Sequence, residues 1–201
     1  MVGDEVKDIN KETFGFRYID FNSNTGFSLN GKNVKLKGVC MHHDQGALGS
    51  ASERDAVYRQ VSKLKEMGCN AIRTSHNMPA PELIRACDEM GMMVMAESFD
   101  EWKAMKVKNG YRHVFDEWAV KDLTNLLRHY RNNPSVVMWC IGNEVPEQWD
   151  GNKGPKMSYF LQELCHREDP TRPVTQGMDA PDAVVNNNMA AVMDIAGFNY
   201  R

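Results

Sequence analysis

Short apolar runs begin near Val34, Asn70, Met92, Val136, Val174 and Asp194, and segments with helical spacing separate most of them. The run Val136-Val137-Met138-Trp139-Cys140-Ile141 carries no polar residue, and it delivers Gly142-Asn143-Glu144. Strands apolar nearly throughout and alternating with helices are parallel strands covered on both faces. Between the first two runs, Val57, Val61, Leu64 and Met67 share one helical face, and Gly68 stops that helix. Ser52-Glu53-Arg54-Asp55 predicts a capping box at its start, with Asp where Glu or Gln is usual. A second helix is predicted from Pro79 or Pro81 to Gly91, burying Leu83, Ile84, Cys87 and Met90. A third runs from Asp116 to about Arg131 on Val120, Leu123, Leu127 and Tyr130, before Pro134. A fourth buries Met157, Phe160, Leu161 and Leu164 ahead of Asp169-Pro170.

The alternation predicts an α/β fold, either a doubly wound sheet or a (β/α)8 barrel of TIM type. No Gly-rich phosphate turn follows the first strand, which weakens the nucleotide-binding version. A barrel gathers its functional residues at the C-terminal ends of its strands. Those ends here read Cys40-Met41-His42-His43-Asp44, Arg73-Thr74-Ser75-His76-Asn77, Glu97-Ser98-Phe99-Asp100, Asn143-Glu144 and Asn199-Tyr200. Histidine, carboxylate, arginine, amide and phenol converging on one rim point to a site. The beginning of the chain differs. Phe14 to Phe21, then Phe27-Ser28-Leu29-Asn30-Gly31, predicts strand, turn and strand, with Asn30-Gly31 the strongest hairpin signal. Residues 1–17 are expected to be the exit strand of an upstream β domain, and 18–201 the barrel, with the hairpin beneath it.

Composition narrows the classes. The 201 residues are 42% hydrophobic and 25% charged, with a net charge of -3. That is globular, and it leaves no electrostatic footprint for nucleic acid or an acidic membrane. No apolar run approaches the roughly 20 residues that span a bilayer, and Met1-Val2-Gly3-Asp4-Glu5 is too charged to open a signal peptide. The natural compartment is left open. Five cysteines, an odd number without a C-x-x-C pair, read as reduced thiols in or beside the core. Fourteen methionines scatter through the elements as core filler.

Glu144 is the central candidate. A carboxylate at a strand end against an apolar wall suits general acid work, and Asn143 can hydrogen-bond a sugar hydroxyl beside the reacting carbon. The competing reading is a capping or ion-paired glutamate in an ordinary loop. His42, His43 and Asp44 invite a metal, but adjacent strand residues point to opposite faces, and no metal-ligand spacing is present. Hydrogen bonding of a hydroxylated ligand by His42 is the favoured role, and no metal or cofactor is expected. Arg73 and Glu97 end neighbouring strands and are expected to pair. Trp139 is expected in the core, while Trp102 and Trp149 can stack on sugar faces.

Taken in order, Phe14-Gly15-Phe16-Arg17, Leu29-Asn30-Gly31, Lys37-Gly38-Val39 with His42, and Cys69-Asn70-Ala71-Ile72-Arg73-Thr74-Ser75-His76-Asn77 resemble glycoside hydrolase family two, the β-galactosidase and β-glucuronidase family. Arg131-Asn132-Asn133-Pro134-Ser135-Val136, Gly142-Asn143-Glu144, Asp169-Pro170-Thr171-Arg172-Pro173-Val174 and Gly197-Phe198-Asn199-Tyr200 continue the likeness across nearly the whole chain. The resemblance implies a (β/α)8 barrel behind a β-sandwich, of which the chain holds six βα units, and retaining hydrolysis of terminal β-glycosides by an O-glycosyl hydrolase. By the same resemblance Glu144 is the acid/base and Asn143 faces the sugar 2-hydroxyl. Arg73, His76 and His42 line the pocket, Asp100 with Trp102 feeds it from the third strand, and Tyr200 holds the nucleophile. Two departures matter. The family's Asp-Glu on strand three reads Ala96-Glu97, and no residue matches the nucleophile, which the family supplies from strand seven. A β-galactosidase fragment, inactive by itself and prone to self-association through open barrel edges, is therefore expected. A non-catalytic carbohydrate-binding barrel is the alternative. It would keep Arg73, His76 and the aromatics but would have no need of Glu144.

Overall fold

The computed structural model describes residues 5–200, which open with an antiparallel meander of β1 (Ile19–Asn22), β2 (Gly26–Leu29) and β3 (Lys32–Asn33). Asn30 and Gly31 join β2 to β3 with φ of 52° and 76°. Two consecutive left-handed residues make the turn whose twist matches a hairpin, and Asn-Gly is the pair that adopts it at least cost. The strand read over Phe14–Phe21 starts only at Ile19; residues 6–18 pair with no strand among the described residues, and Phe16 is 95% exposed.

Six parallel strands follow: β4 (Gly38–His42), β5 (Ala71–Ser75), β6 (Met93–Glu97), β7 (Val136–Asn143), β8 (Val174–Met178) and β9 (Ile195–Phe198). Helices α1 (Arg54–Glu66), α2 (Pro81–Met90), α3 (Phe115–Tyr130) and α4 (Lys153–Glu168) lie between the first five, and the short α5 (Pro181–Asn186) and α6 (Met189–Val192) precede β9. Spatial order equals chain order, β4-β5-β6-β7-β8-β9, with every pairing parallel. A doubly wound sheet would reverse that order partway. The sheet is singly wound, an arc of a barrel, with β4 and β9 as its edges.

The helices bury one stripe each. Pro81 opens α2 and Gly91 closes it at φ 70°, ψ 49°, where a residue with Cβ would be strained. On α3 the buried stripe is Phe115, Ala119, Leu123, Leu126, Leu127 and Tyr130, which leaves Val120 at 43% exposure, contrary to its expected burial. Phe160 is likewise exposed, because Ser158 and Gln162 occupy the inner stripe of α4, where Ser158 Oγ donates to Gln176 Oε1 at 3.1 Å. The capping box does not form. The N-cap of α1 is Glu53, one residue later than predicted, and Ser52 Oγ instead reaches Glu82 Oε2 on α2 at 3.2 Å. Cys87, Cys140 and Cys165 are buried free thiols, Cys69 is half-buried, and Cys40 is exposed on the edge strand.

Beneath the strands, at their N-terminal ends, Arg172 fills a closed polar knot. Its Nη1 meets Asp169 Oδ2 at 2.6 Å, its Nε donates to Val136 O at 2.7 Å, and its Nη2 donates to Arg131 O and Asn133 O at 2.9 and 3.1 Å. Trp139, in the core as expected, donates Nε1 to the same Asp169 oxygen at 2.9 Å. Arg17, from the stretch leading into the meander, also donates to Val136 O, which ties that stretch to the barrel floor.

Candidate active site

Strand β7 reaches the rim with one residue more than its neighbour. Between the pairs Cys140–Thr175 and Asn143–Gly177 it advances three residues while β8 advances two. Such a bulge re-aims the side chains beyond it. Glu144 follows immediately at φ 47°, a left-handed backbone that costs a non-glycine residue energy, and its N–H is held by Gly177 O at 2.7 Å. The apolar strand therefore fixes one partly exposed carboxylate in a conformation the chain would not adopt alone.

A polar layer lies across the mouth. Arg73 Nε meets Glu97 Oε2 at 2.5 Å, as expected for charges ending adjacent strands. Its Nη2 donates to Asn143 Oδ1 at 2.8 Å and its Nη1 to Asn199 Oδ1 at 3.3 Å. Asn199 Nδ2 donates in turn to Asn143 Oδ1 at 2.9 Å and to Glu144 Oε1 at 2.7 Å. A Cβ at Gly177 would lie 2.5 Å from Arg73 Nη2 and 3.1 Å from Asn143 Oδ1, so only glycine on β8 leaves room for this layer. Glu97 is fully buried and both its oxygens are engaged. Oε1 contacts His76 Nδ1 at 2.6 Å, and Oε2 also accepts the Cys140 thiol at 3.1 Å. Burial alone would lower the Arg73 pKa, but Cys140 and Glu97 beside it raise it overall. Burial and the Glu97 charge push the Cys140 thiol well up.

Asp100 sits beside this layer. Its Oδ1 accepts Asn143 Nδ2 at 3.1 Å and Lys106 Nζ at 2.7 Å. Burial works to raise its pKa, yet the Lys106 and Asn143 hydrogen bonds hold it below the ordinary carboxylate value. Tyr200 is 80% exposed and hydrogen-bonded to Glu144, whose charge raises the phenol pKa. His42 is exposed on the edge strand, with its ring edge-on to His76 at 5.1 Å between centroids. The structure thus brings Glu144, Asn143, Arg73, His76, Asp100, His42 and Tyr200 to one rim.

Trp102 is the correction. It is fully buried and its Nε1 donates to Ile141 O at 2.9 Å; its ring lies 3.0 Å from where a Gly142 Cβ would be. It props the end of β7 and cannot stack on a sugar. Trp149, by contrast, is 72% exposed on the turn after Glu144. Among the described residues no group of His, Cys, Asp or Glu is arranged to hold a metal ion, and no helix is long and apolar enough to cross a membrane. Sequence reasoning missed Lys106, six residues beyond Asp100 in a stretch without periodicity. It placed Asn199 at a strand end but gave its amide no role, and that amide bridges Asn143 and Glu144.

The profile of glycosyl hydrolases family 2, TIM barrel domain, matches residues 22–197. A β-galactosidase of Bacteroides ovatus is 40% identical, over 100% of this chain and 27% of its own length. A putative β-glucuronidase of Formosa agariphila is 39% identical, over 98% of this chain and 17% of its own. The crystal structure of a glycosyl hydrolase family 2 member from Bacteroides cellulosilyticus superposes with a TM-score of 0.88 at 40% identity, covering 93% of this chain and 24% of that one. The chain spans about a quarter or less of the length of these relatives. With its singly wound strands and convergent rim, the chain belongs to glycosyl hydrolase family 2, within the TIM barrel domain.

Proposed function

We propose that this chain is part of a retaining β-glycosidase acting on terminal β-galactosides, in which Glu144 is the general acid/base. The observation that carries the reading is the placement of Glu144. A bulge and a left-handed residue hold the carboxylate on the rim, beside an amide with one N–H to spare. Asn143 spends its oxygen on Arg73 and Asn199 and one N–H on Asp100, and the second N–H can meet the sugar 2-hydroxyl. Protonated Glu144 gives its proton to the glycosidic oxygen as the bond to the anomeric carbon breaks. The ionised carboxylate then takes a proton from the water that resolves the glycosyl-enzyme.

Retention needs a second carboxylate roughly 5–5.5 Å away as nucleophile. Glu97 is a poor one, since both oxygens are bound to Arg73, His76 and Cys140. We assign that role to polypeptide beyond this chain, as the greater length of the relatives supports. The open edges at β4 and β9 support self-association of the 201-residue chain alone. A galactoside over a glucuronide is supported by the named β-galactosidase at 40% identity, and by Arg73 and Lys106 each facing a carboxylate of the protein.

The test is Glu144→Gln in the full-length protein. Turnover of glycosides with poor leaving groups should fall roughly 10²- to 10⁴-fold. Aryl glycosides with good leaving groups should keep a burst, because attack no longer needs the acid. Loss of burst and steady state together would remove Glu144 from acid catalysis, and preference for an aryl β-glucuronide would remove the galactoside assignment.

A further inference from the structure

The stretch from Glu101 to Arg112 has no strand or long helix, yet it is built around one buried carboxylate. Glu101, 1% exposed, accepts the backbone N–H groups of Lys106 at 2.8 Å, Val107 at 3.1 Å and Arg112 at 2.9 Å. Burial would raise its pKa, but these three donors hold it below the ordinary value. Gly110 lies directly on the same carboxylate; a Cβ there would fall 1.7 Å from Glu101 Oε1. Glu147, on the turn after Glu144, ties down the near end of the stretch by accepting Lys103 N at 2.8 Å and Ala104 N at 2.7 Å. A segment fixed at both ends in this way is a rigid arm, and it carries Lys106 to the mouth.

Lys106 Nζ then makes three contacts: Asp100 Oδ1 at 2.7 Å, Asp100 O at 3.3 Å and Asn143 O at 3.0 Å. The last is the carbonyl of the peptide that carries Glu144, at the point where the backbone turns left-handed. All three hydrogens of the ammonium have an acceptor, and its side chain is 23% exposed. An exposed surface lysine gains little from one carboxylate. This one instead joins the end of the third barrel strand to that of the fourth, on the residues flanking the proposed acid.

We propose that Lys106 is a positioning residue for the Asn143–Glu144 segment: it locks the strained peptide and orients Asp100 and Asn143 toward the sugar. This rests on the reading of Glu144 given above. The other titratable groups reaching the network are Arg73 on β5, His76 beyond it, Glu97 on β6, Glu144 beyond β7, and Asp179 and Tyr200 beyond β8 and β9. Against that background, removing the Lys106 ammonium frees the Asn143 carbonyl and leaves the Asp100 charge uncompensated.

The experiment compares Lys106→Met, Lys106→Arg and Glu144→Gln in the full-length enzyme on an aryl β-galactoside. Lys106→Met should lower kcat/KM by roughly 10- to 100-fold, the range expected for hydrogen bonds to a charged group, mostly in kcat. KM should stay near the wild-type value, while Lys106→Arg should restore most of the wild-type kcat. Thermal unfolding of Lys106→Met within a few degrees of wild type would separate this from misfolding. Where that variant unfolds, Gly110→Ala serves instead, because it displaces the arm and keeps the charge; it should lower kcat without a lasting change in fold. Glu144→Gln keeping full turnover would fail the underlying reading. Glu144→Gln keeping a burst but losing steady-state turnover, while Lys106→Met keeps wild-type kcat, would overturn this proposal alone.

Discussion

The barrel carries two arginine pairs to buried carboxylates, of nearly equal length, one at each end of its strands, and they are built to opposite purposes. At the floor, Arg172 meets Asp169 at 2.6 Å with both side chains 4% exposed. Its remaining donors end on backbone carbonyls, and the second Asp169 oxygen is taken by Thr171. Nothing there is left to bind a ligand. At the mouth, Arg73 meets Glu97 at 2.5 Å, but its other nitrogens go to the side-chain amides of Asn143 and Asn199. Those amides lead on to Glu144 and Asp100, whose surfaces are open. A knot closed on the backbone serves stability; a chain of side chains ending in solvent-facing groups serves chemistry. The difference follows the division of labour expected of a (β/α)8 barrel, with stability at the N-terminal face and function at the C-terminal one.

Breaking each pair in the full-length protein gives the largest contrast. Arg172→Met leaves Asp169 buried with Trp139 and Thr171 as its remaining partners, which should cost about 3–5 kcal/mol. Activity per folded molecule should stay within about twofold of wild type, since no contact of Arg172 reaches the mouth. Arg73→Met also strands a buried carboxylate, Glu97, but His76 and the Cys140 thiol still face it. Here activity should drop well beyond the loss of folded protein, because Asn143 and Asn199 lose their common donor. Thermal midpoints paired with active-site-normalised kcat decide it. Equal losses of activity in the two variants would erase the distinction between floor and mouth.

Gly177→Ala sharpens the comparison without touching a charge. The added methyl would arrive 2.5 Å from Arg73 Nη2 and 3.0 Å from Asn199 Oδ1, so the layer must shift. Overpacking of this kind costs about 1–3 kcal/mol, and displacement of Asn143 should lower kcat/KM by roughly tenfold or more, since misplacement by about an ångström is costly. Unchanged kinetics would mean that Arg73 does not position Asn143.

The same contrast explains what the sequence disclosed. The singly wound arc was legible because each apolar run repeats the same parallel-strand pattern, and Arg73–Glu97 because both residues end neighbouring strands. Trp102 was misread: an aromatic beside a rim is apolar either way, and its fate depends on the bare Gly142 backbone that admits its ring. Lys106 was invisible for a related reason. Its position is set by Glu101 and Gly110, which have no periodic relation to it, so no local pattern announces where its ammonium ends up. Helical spacing placed Phe160 and Val120 on the apolar stripes, whereas Ser158 and Gln162 take the buried stripe of α4 through partners on other elements.

The smallest expected effect is in acid. Asp169 is held below its ordinary pKa: burial works upward, but the hydrogen bonds of Thr171 and the Arg172 charge outweigh it. A carboxyl depressed in the folded state stabilises the protein above its unfolded pKa of about 3.9, and that contribution is lost as pH falls through the folded value. Asp100 is depressed in the same direction, but its carboxylate is more than a third exposed and is screened by solvent, so its share is smaller. Both act in one window, below about pH 4. Thermal midpoints followed from about pH 7 down to pH 3 should therefore fall in the wild type. Asp169→Asn should start lower and fall less steeply, because its floor knot no longer contains a group that titrates. Asp100→Asn should follow the wild-type curve closely while losing activity, since Asp100 belongs to the mouth. An Asp100→Asn curve flatter than that of Asp169→Asn would place the acid-sensitive knot at the mouth and reverse the assignment of the two ends.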